Sequence, residues 1–88
     1  PICAQLRDTR FERCDCAGAA FHELRWRALT FEVCSLMAAE LFKTPLEGMD
    51  LTTCQIDGLI VDPPSLRGAV VTAVQACGLA KLLGLIIR

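Results

Sequence analysis

Apolar residues recur along the chain at short intervals, and the local intervals predict alternating strands and helices. Phe11–Ala17 reads as a strand ended by Ala17-Gly18, with Cys14 and Cys16 two apart and therefore on one face of an extended segment. Between Ala19 and Lys43, residues Phe21, Leu24, Ala28, Phe31, Ser35, Ala38 and Phe42 lie three and four apart, and Leu36, Met37 and Leu41 widen the stripe. That spacing predicts an amphipathic helix ending before Thr44-Pro45, because the residue ahead of a proline is pushed out of the helical region. Its start lies anywhere from Ala19 to Thr30, since His22–Arg27 also alternates and Thr30 suits an N-cap.

Met49–Ile56 then reads as a strand, Asp57-Gly58 as a two-residue hairpin turn, and Leu59–Asp62 as the returning strand. Pro63-Pro64-Ser65 opens a second helix, Leu66, Val70, Val74 and Cys77 share one of its faces, and Gly78 stands as its stop. Leu82–Ile87 is suited to a last strand. The order strand, helix, strand, strand, helix, strand predicts an α+β fold: a ferredoxin-like βαββαβ sandwich, its antiparallel sheet carrying two helices on one face. The 88 residues form a single domain, with 1–10 as an N-terminal arm.

Six cysteines in so short a chain change the picture. A domain of this size has a marginal core, and an even number of widely spaced cysteines predicts three disulfides and an oxidising compartment. The opposing reading is six buried free thiols, because free cysteine packs as a small hydrophobe. No Cys-x-x-Cys pair occurs and His22 is the sole histidine, so neither a metal site nor a cofactor is expected. A net charge of −1 without a basic stripe argues against nucleic acid as the partner.

With Cys14-Asp15-Cys16 on the first strand, then Cys34, Cys54 and Cys77 in successive elements and Cys3 upstream, the chain resembles the killer protein six-like toxins of smut-fungus viruses. It likewise resembles secreted fungal plant-pathogen effectors of similar fold. The run Glu23-Leu24-Arg25-Trp26 is similar to the helix-one entry of the toxin alpha subunit, and the likeness in spacing covers roughly residues 3–80. What the resemblance implies is the pairing Cys3–Cys77, Cys14–Cys34 and Cys16–Cys54, among the fifteen pairings that six cysteines allow. It further implies a secreted, extracellular toxin or virulence effector that binds a host or target-cell protein and is not an enzyme.

Candidate binding residues are Arg25, Trp26 and Arg27, a triplet fit for anions or a partner, against the plainer reading of a Trp packed under Arg stems. The apolar run Leu82–Ile87 at a sheet edge predicts coverage by the N-terminal arm or homodimer pairing. Membrane contact is the less favoured alternative, with Gly68–Ile87 as one spanning helix of a small organelle-complex subunit. Two other functions stand beside the leading one. One is an intracellular ferredoxin-like assembly module with free thiols; the other is an N-terminal-proline tautomerase using Pro1 as its base.

Overall fold

Leucines and their substitutes stand every fifth residue through the middle of the chain: Phe31, Leu36, Leu41, Leu46, Leu51 and Ile56 are all buried. A second buried set runs two residues ahead of each, through Leu24, Leu29, Cys34, Ala39, Thr44, Met49, Cys54 and Leu59. Interior positions are thus separated alternately by two and three residues, an interval that neither a helix nor a flat strand produces. In the computed structural model, which describes residues 5–88, the chain winds into a coil with a corner every five residues.

The coil repeats every twenty residues. Strand β1, Gln5–Glu12, pairs in parallel with β2, Arg25–Glu32, placing Leu6 beside Trp26 and Phe11 beside Phe31. Parallel bridges join Asp15 to Ser35 and Ser35 to Gln55, Ala20 to Glu40 and Glu40 to Ile60, and Asp50 to Val70 at the same offset. Four corners per turn make a four-sided parallel solenoid, in which each coil contacts only its neighbours. The corners are turns such as Cys16–Ala19, Leu36–Ala39 and Leu46–Met49, each closed by an i to i+3 backbone hydrogen bond of 2.9–3.1 Å.

One position in the pentad takes positive φ at nearly every corner, in glycines 18, 48, 58 and 68 and in Asp8, Arg13, Glu23, Ala28, Val33, Ala38 and Lys43. At Gly68 no other residue fits easily: φ is +78°, and a Cβ would lie 2.7 Å from Glu47 Cγ and 3.2 Å from Glu47 Cα. Val33, at φ 51°, is the costliest of the others, because a β-branched side chain crowds the backbone there.

Inside, side chains stack rung on rung. The Phe11 and Phe31 rings lie 5.1 Å apart and nearly parallel, and Phe21 meets Phe31 edge-on at 6.2 Å. One interior corner is polar and fully satisfied. Thr44 Oγ1 accepts from the Leu24 N–H at 3.1 Å and donates to the Phe21 carbonyl at 2.6 Å. The Thr44 N–H donates to Ser65 Oγ, which donates to Asp62 Oδ1 at 2.8 Å. Burial pushes the Asp62 carboxyl up, but bonds from the Lys43 N–H and the Ser65 hydroxyl outweigh it and hold the group below the ordinary carboxylate value.

Pro63–Leu66 forms a short 3-10 turn, and α1, Ala73–Leu82, closes the C-terminal end of the stack. A capping box between Thr72 and Gln75 starts the helix. Gln75 Nε2 donates to the Leu51 and Cys54 carbonyls at 2.8 and 2.9 Å, groups that a further rung would otherwise pair. Leu79 is buried against the last coil. Gly84, at φ +82°, ends the helix in a Schellman turn, with Leu85 N–H on the Ala80 carbonyl and Gly84 N–H on that of Lys81.

These observations overturn the disulfide-stapled ferredoxin-like sandwich. Residues 19–43 form coil sides and not a helix, because the three-and-four spacing was drawn partly from exposed positions such as Ala38 and Phe42. Asp57-Gly58 does turn the chain, but at a corner between parallel rungs, so no hairpin follows. Gly78 lies within α1 instead of ending a helix, and Leu82–Ile87 contains the helix end and an irregular tail in place of a strand. Gln5–Arg10 belongs to β1 and not to an arm. Pro1 and Cys3 lie outside the described residues. Among those residues no helix is long and apolar enough to cross a membrane.

Candidate anion-binding face

The twenty-residue offset brings distant arginines together. β1 and β2 set Arg7 directly beside Arg27, and Gln5 beside Arg25. Residues 25 and 27 flank Trp26 on one rung and alternate with it, so both arginines project outward while the indole lies half-buried in the wall. Trp26 Nε1 donates to the Pro45 carbonyl at 2.6 Å, which fixes the ring against the next coil. Leu6, Arg7, Arg25, Trp26 and Arg27 line a shallow depression of about 210 Å³. All three arginines are exposed, and none forms an ion pair with an acid among the described residues. Arg67 falls in the same column as Arg7 and Arg27, two coils beyond Arg27 by the same offset, with Glu47 between them.

The other charged clusters are internally neutralised. Arg10 sits 2.6 Å from Glu32 and 3.4 Å from Glu12, and its guanidinium is held further protonated by the Glu32 hydrogen bond and the two carboxylate charges. Lys43 faces Glu23 at 3.7 Å, and His22 meets Glu40 at 2.7 Å while packing edge-on to Phe42. Asp50 lies below the ordinary carboxylate value because the Thr52 hydroxyl and N–H both donate to it.

The cysteines do not form the predicted bridges. Cys14, Cys16, Cys34, Cys54 and Cys77 are free thiols, which removes Cys14–Cys34 and Cys16–Cys54 and leaves Cys77 unpaired. Cys14, Cys34 and Cys54 instead occupy one interior column at twenty-residue intervals, small apolar fillers at a corner. Their Sγ–H groups point at backbone carbonyls: Cys34 to Phe11 at 3.2 Å, Cys54 to Phe31 at 3.4 Å and Cys14 to Glu12 at 3.4 Å. Burial raises the Cys16 and Cys54 thiols above their usual value, and for Cys16 the neighbouring Cys34 and Cys14 add to the shift. Raised thiols are poor nucleophiles at neutral pH. No group of three potential metal ligands is assembled among the described residues.

Arg25, Trp26 and Arg27 were therefore placed together by the sequence, whereas Arg7 was not. Its partnership depends on the coil length, which the twenty-residue recurrence of Cys14, Cys34 and Cys54 already displays.

No family model matches this chain, and no curated protein does. Solved structures do match, among them a pentapeptide repeat protein from the cyanobacterium Cyanothece 51142. That structure is 16% identical with a TM-score of 0.42, and the match covers 77% of this chain and 40% of the other. The chain thus spans well under half the length of the protein to which it is similar.

Proposed function

We propose that this chain is a non-catalytic binding module whose arginine side docks an acidic segment of a partner protein. The observation that carries this reading is the group Arg7, Arg25 and Arg27 around the Leu6–Trp26 depression, without an acid to neutralise it. Neighbouring strands are about 4.8 Å apart and alternate residues about 6.6 Å, so the three guanidinium groups hang from closely spaced points of a rigid wall. Guanidinium groups pair carboxylates bidentately, and the apolar floor adds contact area for an aliphatic stem. The secreted toxin or effector expectation drew its support from three disulfides, and the free thiols take that support away.

Trp26 is the only tryptophan, so its fluorescence reports on the site directly. Titration with a synthetic peptide of alternating Glu and Leu is expected to give a saturable change. Affinity falls as salt rises and the Debye length shrinks from about 30 Å at 0.01 M to about 8 Å at 0.15 M. The double substitution Arg25→Glu/Arg27→Glu abolishes the response. An unaltered titration in that variant refutes the reading, and tighter binding of single-stranded DNA than of the peptide reassigns the face to nucleic acid.

A further inference from the structure

The C-terminal end of the stack is only half closed. Gln75 caps the Leu51 and Cys54 carbonyls, but the next sides of the last coil have no such cover. In the coil below, Leu36 and Leu41 donate their N–H groups to the Gln55 and Ile60 carbonyls, Ala38 donates to Asp57, and the Ala39 carbonyl accepts from Ile60. One coil later the equivalent groups are the N–H groups of Ile56, Gly58 and Val61 and the carbonyl of Leu59. None has a backbone partner among the described residues. They form an open strand edge, the kind of surface to which another extended chain adds by main-chain hydrogen bonds.

Beside this edge lies a cavity of about 290 Å³, lined by Cys54, Ile56 and Gly58 of the coil and by Val74, Leu79 and Leu82 of α1. Above it, Val74, Leu82, Leu83, Leu85, Ile86 and Ile87 are between 48% and 83% exposed. At about 100 Å² for a whole Leu or Ile side chain, they present roughly 350–400 Å² of apolar surface. That is about half of the ~800 Å² each partner contributes to a standard interface. Leu85-Ile86-Ile87 is apolar and β-prone, yet it does not lie on its own edge: the Schellman turn at Gly84 redirects it, and Ile86 is 83% exposed. Arg88 ends the tail, and Asp57 stands on the cavity rim.

We infer that a second copy of this chain supplies the missing rung: the Leu85–Arg88 tail of each protomer adds along the Ile56–Val61 edge of the other. Apolar side chains of the incoming tail enter the cavity, and Arg88 meets Asp57. The exchange is reciprocal, so the interface is isologous and closes as a dimer without leaving an edge for further growth. It uses the opposite end of the coil stack from the strands that carry Arg7, Arg25 and Arg27, and it stands or falls independently of the binding proposed there.

Sedimentation equilibrium of the full chain, together with amide hydrogen exchange at 5 and 200 µM protein, tests the inference. The expected result is a dimer that Ile86→Asp weakens at least thirtyfold, with unchanged circular dichroism. The Ile56 and Val61 amides are then protected at the higher concentration and exposed at the lower. Four results overturn it: a monomer throughout, a dimer indifferent to Ile86→Asp, a dimer whose Ile56 and Val61 amides exchange freely, or protection of these amides in a monomer. The last would place each tail on its own edge. Should Ile86→Asp fail to fold, Ile87→Lys, at a position only half exposed, serves as the second variant with the same expected loss.

Discussion

Two adjoining sides of the solenoid are built from the same two strands in the same register, yet their arginines meet opposite fates. On the side of residues 10–12 and 30–32, Arg10 bridges Glu12 and Glu32, and the cluster satisfies itself. Five residues earlier, Arg7, Arg25 and Arg27 face one another with no acid among the described residues in ion-pair reach. The backbone does not distinguish the two sides. What differs is the outward residue in each pentad, so the coil acts as a neutral frame on which one wall is closed by internal pairing and another is left open for a ligand.

If the frame is common to both walls, damage to it must affect them together. Leu36 is 1% exposed, and Leu36→Ala is expected to cost about 2–5 kcal/mol through lost burial and a cavity. Urea unfolding followed by Trp26 fluorescence and by far-ultraviolet circular dichroism should shift as one transition. Separate transitions by the two probes would mean that the arginine wall folds on its own. Thr44→Val keeps the volume but strands the Leu24 N–H, for a loss of about 1–3 kcal/mol in the same assay.

Smaller changes separate the walls. Val33→Gly relieves a β-branched residue at positive φ, a cost of ~1–2 kcal/mol, against the ~0.5–1 kcal/mol of added chain entropy that glycine brings. A net gain of up to about 1 kcal/mol is expected, with acidic-peptide binding unchanged. Arg10→Ala tests the closed wall: an exposed ion pair contributes about 0.2–1 kcal/mol, so denaturation moves slightly and peptide binding not at all. A large loss of binding in Arg10→Ala would erase the distinction between the two sides. Acid gives one more contrast. The Asp50 and Asp62 carboxyls sit below their unfolded value, so their contribution is whole above it and is lost as pH falls through the folded value, below about 4. Asp62→Asn should flatten that acid limb while leaving stability above pH 5 comparatively little changed in its pH dependence.

Local signals in the sequence were sound where they concerned turns and misleading where they concerned period. Gly18, Gly58 and the end of the long stripe near Thr44-Pro45 do mark corners or breaks, because positive φ and proline act over one or two residues. Interior positions separated by two and three mimic a strand over one pair and a helix over the next, as with Leu24, Phe31 and Phe21. Only the run Phe31, Leu36, Leu41, Leu46, Leu51, Ile56 shows the interval of five without ambiguity. The cysteines were read through their even number, whereas their informative property is the spacing of Cys14, Cys34 and Cys54, which stacks thiols in one column as core filler. Arg25, Trp26 and Arg27 were legible as a site because they are adjacent in sequence; Arg7 was not, since its place depends on a coil length set by non-local pairing.

Everything said of the arginine wall depends on a chain that returns beside itself every twenty residues. Nuclear Overhauser contacts along the backbone test that directly. The account predicts parallel-strand contacts between residues 6 and 26, 15 and 35, and 35 and 55, with the Trp26 indole near the Pro45 carbonyl region. Antiparallel contacts linking 51–56 to 59–62 across Asp57-Gly58 would contradict it.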